Sequence, residues 1–469
     1  MNHGVTSRLG LAVVMAALLV YAAGTSPDKY RIVLAALIFV VGAITCKRNL
    51  LHGLSLLISW LVFLALVRRL ADYYLGNPPS ADPFLLVAPA LSVFIVFTLS
   101  QDRRLQLPRG RIRAVIMGLA ALIGLEAVNP LQPSLASGIT SLLFVGVPLL
   151  YFPIGSALDA HEWQYLVRLA SLLGVVVAGY GLLQGVDQVA PWDHFWIQRV
   201  SQSLQAINVG NHVRPFSTLS SPGEYGSFLV VALVCCFNAS ELSRRTRVGI
   251  SVPLVIALFF SGVRGPLTLA LVAGLATMVI LNRIRVVTAV FAISALLLIL
   301  QVLPGLTGST SNSSIASHQL VGLADPTNAQ NSTLGIHYQL VLDGVQQAFT
   351  QPIGHGLSSI TLAGDRTSPG SSLNTETDPS NLGVACGVLG LTLYCALVTF
   401  TLKGLVELAD RALKATAAGL LIATSLQWFT GGQYAVAPWA WLAIGLLCAR
   451  SGPTEAVLDR SGRMRVGDG

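Results

Sequence analysis

Charged residues are scarce in this chain of 469 residues: they make up 11% of it, whereas soluble domains carry about 25%. Hydrophobic residues make up 53%, and the mean hydropathy is +0.69. The formal net charge is +8, but there is neither a polybasic tract nor an aromatic-basic module, so no nucleic acid is expected as a partner. The composition excludes an ordinary soluble protein and predicts an all-α protein embedded in the lipid bilayer.

Motifs for nucleotides and metals are also missing. No glycine-rich loop ends in Gly-Lys-Ser or Gly-Lys-Thr, and no Asp-x-Asp pair is present, so no nucleotide site is expected. The histidines and the six cysteines are not clustered at metal-ligand spacing, and the cysteines lie in or beside apolar segments, which argues against a disulfide framework. We therefore predict a protein that uses neither a metal nor another cofactor.

Long apolar runs recur along the sequence. A helix needs about 20 apolar residues to cross the hydrocarbon core, within a range of about 17–25. The sequence offers fourteen candidate runs, some of them short, and so predicts a polytopic membrane helix bundle of twelve to fourteen transmembrane helices. The runs are approximately 8–24, 31–46, 50–67, 84–100, 113–128, 135–152, 164–183, 224–240, 247–262, 265–281, 285–303, 381–402, 411–427 and 435–450.

Basic residues are concentrated in alternate loops, which predicts the orientation. With the N-terminus in the cytoplasm, most lysines and arginines face inward at every crossing, as the positive-inside rule requires. Both termini are then cytoplasmic. The few basic residues left on the outer side are Lys29, Arg31, Arg68, Arg69, Arg199, Arg214, Arg264 and Arg366.

Two long segments, 184–223 and 304–380, break the pattern, and both are expected on the outer side. Loops of this length are usually functional or disordered. In the second, apolar residues recur at helical spacing, which predicts an amphipathic helix that lies on the bilayer or caps the bundle. These residues are Ile336, Leu340, Val341, Val345, Ala348 and Phe349. The predicted divisions of the chain are 1–183, 184–303, the large outer loop 304–380, the last membrane helices 381–450 and a cytoplasmic tail 451–469.

Two outward arginines are the strongest candidate ligand-binding residues, because a charge in the membrane usually marks a functional site. Arg214 is followed by hydroxyl residues that include Ser217, and Glu224 opens the next helix. An arginine beside hydroxyls and a helix N-terminus suits a phosphate group. Arg264 lies between two apolar runs, among glycines and a proline that allow a tight turn. The alternative is that both arginines extend to lipid headgroups.

The outer loop also holds candidates for proton transfer. His337 lies near the start of the predicted amphipathic helix, and Glu376 and Asp378 come just before the next membrane helix. A histidine or a carboxylate in such a place can remove a proton from a sugar hydroxyl. His355 is a weaker candidate of the same kind, and most histidines in polar loops have no catalytic role.

Four stretches in this order resemble the superfamily of O-antigen ligases and O-antigen or exopolysaccharide polymerases. They are RPFSTLSSPG at 214–223, SGVRG at 261–265, PIGHG at 352–356 after the amphipathic helix, and GVLG at 387–390. Each is degenerate alone, and together they cover about 211–400. The first 200 residues are similar to the family only as a bundle of membrane helices.

The resemblance implies a metal-independent glycosyltransferase of the bacterial inner membrane, with its active site on the outer face. It would move a glycan from an undecaprenyl diphosphate carrier to an acceptor glycan or glycolipid, with a chain-length regulator as a further partner. Arg214 and Arg264, with Ser217 and Glu224 beside them, would bind the diphosphate. Family members commonly carry a His-Asn pair before the Gly-x-x-Gly helix; here that region has no histidine, so His337, Glu376 or Asp378 would be the base.

Three functions follow as expectations. A polysaccharide polymerase ranks first, since the missing histidine tilts the choice mildly away from a ligase. The second is an O-antigen ligase that joins glycan to a lipid A-core or to a protein. The third is a secondary transporter or a flippase for lipid-linked glycan, which inverted repeats, broken helices and charges at mid-membrane would favour.

Overall fold

The structure is a computed structural model that describes most of the chain. The described residues are 27–76, 82–105, 110–186, 189–200, 208–209, 212–288, 315–324, 334–361, 364, 373–375, 377–429 and 434–450. The predicted run 8–24, most of the run 285–303, Glu376 and the tail 451–469 lie outside these residues.

Helices account for nearly all the regular structure of the described residues. The α-helices are α1 (Pro27–Arg48), α2 (Leu50–Leu75), α3 (Phe84–Gln101), α4 (Arg111–Glu126), α5 (Leu135–Val145), α6 (Tyr151–Ser156), α7 (Ala160–Val186), α8 (Pro191–Val200), α9 (Pro222–Asn238), α10 (Arg244–Phe260), α11 (Arg264–Ile280), α12 (Ile315–Ala324), α13 (Leu334–Thr350), α14 (Asp378–Glu407), α15 (Arg411–Ala423) and α16 (Ala437–Arg450). Two-residue strands β1 (Asn208–Val209) and β2 (His212–Val213) form an antiparallel pair, and short 3₁₀ helices span Val147–Leu150 and Leu357–Ile360.

The length and the apolar composition of the helices suit a lipid bilayer. Within the described residues, six helical segments are long and apolar enough to cross a bilayer, and three shorter apolar helices accompany them. Helices coincide with every predicted apolar run except the two that lie wholly or mostly outside the described residues. The predicted all-α, polytopic helix bundle is therefore confirmed, and the chain is a multi-pass membrane protein. The six segments are Lys29–Arg48, Leu50–Leu75, Phe84–Gln101, Leu135–Ser156, Ala160–Gly185 and Asp378–Glu407.

Helix α9 lies at the centre of the bundle, and its position fixes the chain just before it. Its residues from Pro222 to Cys236 are almost all buried, and it packs against α7, α10, α11 and α15. The helix begins where the sequence indicates a turn: the Ser221 side chain accepts a hydrogen bond from the Glu224 amide (3.1 Å), and Pro222 takes a position that needs no amide donor. The segment that carries Arg214 therefore leads directly into the core.

Helix α14 is broken at Gly387, which has φ 63° and ψ −158°. The break frees backbone carbonyls that a continuous helix would use, and a buried carbonyl needs a donor. The loop after α13 supplies these donors: the amide of His355 donates to Val384 (2.9 Å), and that of Gly356 donates to Ala385 (3.0 Å). The PIGHG stretch at 352–356 thus packs into the break of α14.

We expect Gly387→Ala to lower the free energy of unfolding by about 1–3 kcal/mol, because the backbone there is strained for any residue with a side chain. A Cβ would also overlap the carbonyl oxygen of Pro352. Gly124→Ala in α4 is the matched control, since a Cβ there meets no atom within 4 Å. Thermal unfolding of both variants in detergent tests this; equal midpoints would contradict it.

Helix α13 is the predicted amphipathic helix, and it packs along the first half of α14. The contact is made by small residues: a Cβ on Gly344 would lie 2.7 Å from the Ser380 Cβ, and one on Gly383 would lie 3.1 Å from that of Ala348. Such small residues allow membrane helices to approach closely. Other apolar side chains of α13 remain exposed, among them Tyr338 and Phe349.

A candidate anion site beside two arginines

The segment between β2 and α9, residues 214–221, is held in a defined non-helical shape. The side-chain oxygen of Gln184 accepts hydrogen bonds from the amides of Phe216 (3.1 Å) and Ser217 (2.6 Å). The Ser217 hydroxyl donates to the carbonyl of Val177 (2.6 Å), and Ser217 itself adopts φ 53°. A positive φ is uncommon for a residue other than glycine, so these tertiary bonds sustain a turn that local preference would not.

Arg69, near the C-terminal end of α2, holds the same turn from the other side. Its guanidinium donates to the carbonyls of Leu219 (2.6 Å) and Ser217, and forms an ion pair with Asp193 of α8 (2.8 Å). It also lies over the ring of Phe216, 4.8 Å from the centroid. Both charges are buried, and buried charges are tolerated when they are paired and hydrogen-bonded as here.

The two candidate arginines lie near each other. The Arg214 side chain crosses Gly262, where a Cβ would come within 3.1 Å of its Cγ and 3.3 Å of its Nε. Gly262 has φ 72°, a backbone conformation that glycine allows without strain. Burial lowers the pKa of the Arg214 guanidinium, and the positive charge of Arg264 lowers it further. The structure therefore brings together two cations that are far apart in sequence.

Arg264 begins α11, and its guanidinium lies against the backbone of α12. A Cβ on Gly322 would overlap the guanidinium carbon and both terminal nitrogens of Arg264. Helix α12 is fixed in turn by Gln319, which is fully buried and donates to the carbonyl of Phe259 (3.2 Å). Glycines at 262 and 322 thus leave the space that the two arginine side chains occupy.

Ser217 and Glu224 were expected to contact the ligand, but the structure gives both of them internal partners. Ser217 is fully buried and its hydroxyl is used by Val177. Glu224 is buried as well: one oxygen accepts from the amide (3.0 Å) and hydroxyl (2.6 Å) of Ser220, and the other from the amide of Ala435 (3.0 Å). This placement favours a role in shaping the turn and in fastening the link between α15 and α16.

Asp378 has a similar place at the start of α14. It is fully buried, and its carboxylate accepts hydrogen bonds from the amides of Trp428 and Phe429 (3.0 Å for the second). Its own amide donates to the carbonyl of Leu426 (2.9 Å). These contacts favour a structural role over proton transfer. Glu376 lies outside the described residues, so its predicted role stays a prediction.

We expect Asp378→Asn to lower the free energy of unfolding by about 1–3 kcal/mol, because an amide has one acceptor oxygen and leaves a buried N–H unsatisfied. Asp343→Asn on α13 makes the same change at a partly exposed carboxylate that accepts a hydrogen bond from Gln339 (3.0 Å), and it is expected to shift stability by less than about 0.5 kcal/mol. Thermal unfolding of the two variants tests this prediction, and a similar loss of stability in both would contradict a structural role of Asp378.

His337 is exposed on α13, in contrast to the buried carboxylates. It precedes Gly344 by about two helical turns, so both residues lie on the face of α13 that approaches α14. His355, the weaker candidate, is half-buried in the loop that packs into the break of α14. Of the two histidines, His337 is thus the exposed one.

Sequence reasoning missed the residues that support Arg214. Gln184 and Asp193 are nearly or fully buried, and the Gln184 amide donates to the Asp193 carboxylate (2.7 Å). One signal was available: a carboxylate among the aromatic residues 192–196, opposite an arginine near the end of an apolar run, indicates a buried ion pair. Which arginine pairs with it is decided only by how α2, α7 and α8 pack.

Two adjacent arginines can together hold an anion that carries two charges. Each guanidinium presents a planar fork of donors that suits phosphate oxygens. Among the described residues, no group of three or more histidine, cysteine, aspartate or glutamate side chains lies close enough to hold a metal ion.

No protein-family model and no curated protein matches the chain.

Proposed function

We propose that the protein is a membrane glycosyltransferase that takes a glycan from an undecaprenyl diphosphate-linked donor and adds it to an acceptor hydroxyl, most simply as a polysaccharide polymerase. One observation carries the proposal: Arg214 packs on Gly262, two residues before Arg264, and lies near enough to Arg264 for its positive charge to lower the pKa of Arg214. Their setting in a multi-pass membrane protein supports a ligand that is both anionic and lipid-linked. The four family-like stretches support the reaction class.

In the proposed reaction, the acceptor hydroxyl oxygen attacks the anomeric carbon of the donor sugar. The bond from that carbon to the diphosphate oxygen breaks, and the electron pair leaves with the diphosphate. Arg214 and Arg264 stabilise the negative charge that develops there. Fixed charges aimed at a developing negative charge are usually the largest single contribution to such catalysis.

The proton of the attacking hydroxyl needs a base, and we assign this role to His337. Asp378 is unsuited because both of its carboxylate oxygens hold backbone amides. The imidazole of a histidine is well matched to proton transfer near neutral pH. On this proposal α13 moves or bends enough to bring His337 to the arginines when a substrate is bound.

The site belongs on the outer face of a bacterial inner membrane, with both termini in the cytoplasm. The distribution of basic residues supports this orientation. A glycan or a glycolipid would be the acceptor and would enter beside the outer loop 304–380. A chain-length regulator is the further partner that we propose for a polymerase.

An in vitro transfer assay tests the proposal. Purified protein in nanodiscs receives the undecaprenyl diphosphate-linked glycan, without nucleotide and with a chelator present. Longer glycan from the wild type, and its loss in Arg214→Ala and Arg264→Ala, would support a polymerase. Transfer only after a lipid A-core or protein acceptor is added would indicate a ligase. No transfer to any acceptor by folded protein would contradict the proposal.

A transporter or flippase for lipid-linked glycan remains the second candidate, because a specific observation favours it. Helix α14 is discontinuous at Gly387, and broken helices are frequent at the binding sites of secondary transporters. Here, however, the chain's own loop 352–356 fills the break. Movement of the lipid-linked glycan across proteoliposome membranes, with no new glycosidic bond, would favour this function over transfer.

A further inference from the structure

Arg69 and Asp193 form a buried ion pair that lies beside the two-arginine site and has no place in the proposed chemistry. We propose that this pair positions Arg214 for its anionic ligand. The inference rests on the proposed function for the identity of the ligand, whereas the positioning itself can be tested without any ligand.

The pair controls the shape of the turn at 216–219 directly. The Arg69 guanidinium has a fixed fork of donors. One side of it pairs with the Asp193 carboxylate, and its other nitrogens donate to the carbonyls of Ser217 and Leu219 in the turn. Its face packs on Phe216. A displaced Arg69 would release both carbonyls at once.

Asp193 also controls the turn indirectly, through the orientation of one amide side chain. Its second oxygen accepts hydrogen bonds from Tyr180 (2.5 Å) and Gln184 (2.7 Å). A carboxylate accepts only, so the Gln184 NH₂ group must point towards it, which turns the Gln184 oxygen towards the amides of Phe216 and Ser217. Arg69, Asp193 and Gln184 thus form a clamp on residues 216–219. The negative charge of Asp193 orients both its donor, Arg69, and its acceptor, the Gln184 oxygen.

The clamp matters for Arg214 because only Pro215 separates it from Phe216. Proline restricts its own backbone and that of the residue before it, so a shift of the turn is transmitted to Arg214. The Arg214 side chain crosses the small gap above Gly262. A displacement of about 1 Å can reduce a reaction about 100-fold when it moves a charge away from the reacting group.

A second buried ion pair in the same part of the fold provides a matched control. Arg31 of α1 is fully buried and binds Asp72, near the C-terminal end of α2, at 2.7 Å. In the described part of the chain, its ionic partners are Asp72 and Asp82, which do not belong to the turn. Asp72→Asn therefore removes a comparable buried charge without releasing residues 216–219.

The experiment compares Asp193→Asn with Asp72→Asn in the purified full-length protein, with inorganic pyrophosphate as the probe and calorimetry as the readout. We expect Asp193→Asn to weaken pyrophosphate binding by about 10- to 100-fold. The affinity of Asp72→Asn for pyrophosphate is expected to stay within about twofold of that of the wild type, even if this variant lowers the unfolding midpoint as much as Asp193→Asn does. Equal affinities for the two variants would overturn the inference.

Hydrogen exchange of the unliganded protein separates this inference from the proposed function. Faster exchange of the 216–219 amides in Asp193→Asn than in Asp72→Asn supports the clamp, and equal exchange overturns it. Failure of the wild type to bind pyrophosphate would overturn the anion site, and exchange alone would then decide the clamp. If Asp193→Asn does not fold, Tyr180→Phe, which removes one donor to Asp193, is expected to shift both readouts in the same direction by less.

Discussion

Arg214→Ala is expected to reduce the transfer rate by about 100- to 1,000-fold, the usual effect of removing one group that stabilises a developing negative charge. The side chain is half-buried, and the positive charge of Arg264 lies near it. Arg214→Lys keeps the charge but loses the planar fork, and is expected to recover only part of the rate. Initial rates with saturating lipid-linked donor measure the effect.

Arg168→Ala is the control for this prediction. It removes the same charge from a partly exposed side chain that pairs with Glu241 (2.8 Å), and such surface pairs contribute little. Its transfer rate is expected to match that of the wild type. Equal rates for Arg214→Ala and Arg168→Ala would show that Arg214 takes no part in the reaction.

Gly322→Val is expected to reduce transfer by about 100-fold without altering any charge, because even a Cβ at this position overlaps the guanidinium of Arg264. The arginine must then leave its place against α12. Affinity for pyrophosphate is expected to fall with the rate, because the same displaced charge serves both. Binding and transfer measured on one preparation test this.

Gly265→Ala is the matched control for Gly322→Val. Gly265 follows Arg264 in sequence, but a Cβ there meets no atom within 4 Å. We expect near wild-type transfer from this variant. If Gly322→Val were as active as Gly265→Ala, the position of the Arg264 guanidinium against α12 would have no bearing on function.

The helices could be predicted from the sequence because membrane-spanning segments are recognised from the length and hydropathy of apolar runs alone. Each predicted run in the described residues corresponds to a helix. The break in α14 could not be predicted: Gly387 is one of several glycines in that helix, and only the loop 352–356 packed against it makes the break stable.

The two arginines could be proposed from sequence, but their partners could not. A charge beside an apolar run is visible locally, whereas the direction of a side chain depends on distant elements. Ser217, Glu224 and Asp378 looked like ligand or proton-transfer groups, yet their partners are Val177 and the backbone of Ser220, Ala435, Trp428 and Phe429. A buried carboxylate that must satisfy backbone amides cannot be told from a catalytic one without tertiary structure.

The central claim is that Arg214 and Arg264 bind one anion together, and a double-mutant cycle on pyrophosphate affinity tests it most directly. The affinities of wild type, Arg214→Ala, Arg264→Ala and the double variant are measured by calorimetry. We predict that each single variant loses affinity by about tenfold or more. The total loss in the double variant is expected to be well below the product of the two single losses. Two independent losses that multiply, or no loss in either single variant, would contradict a shared site.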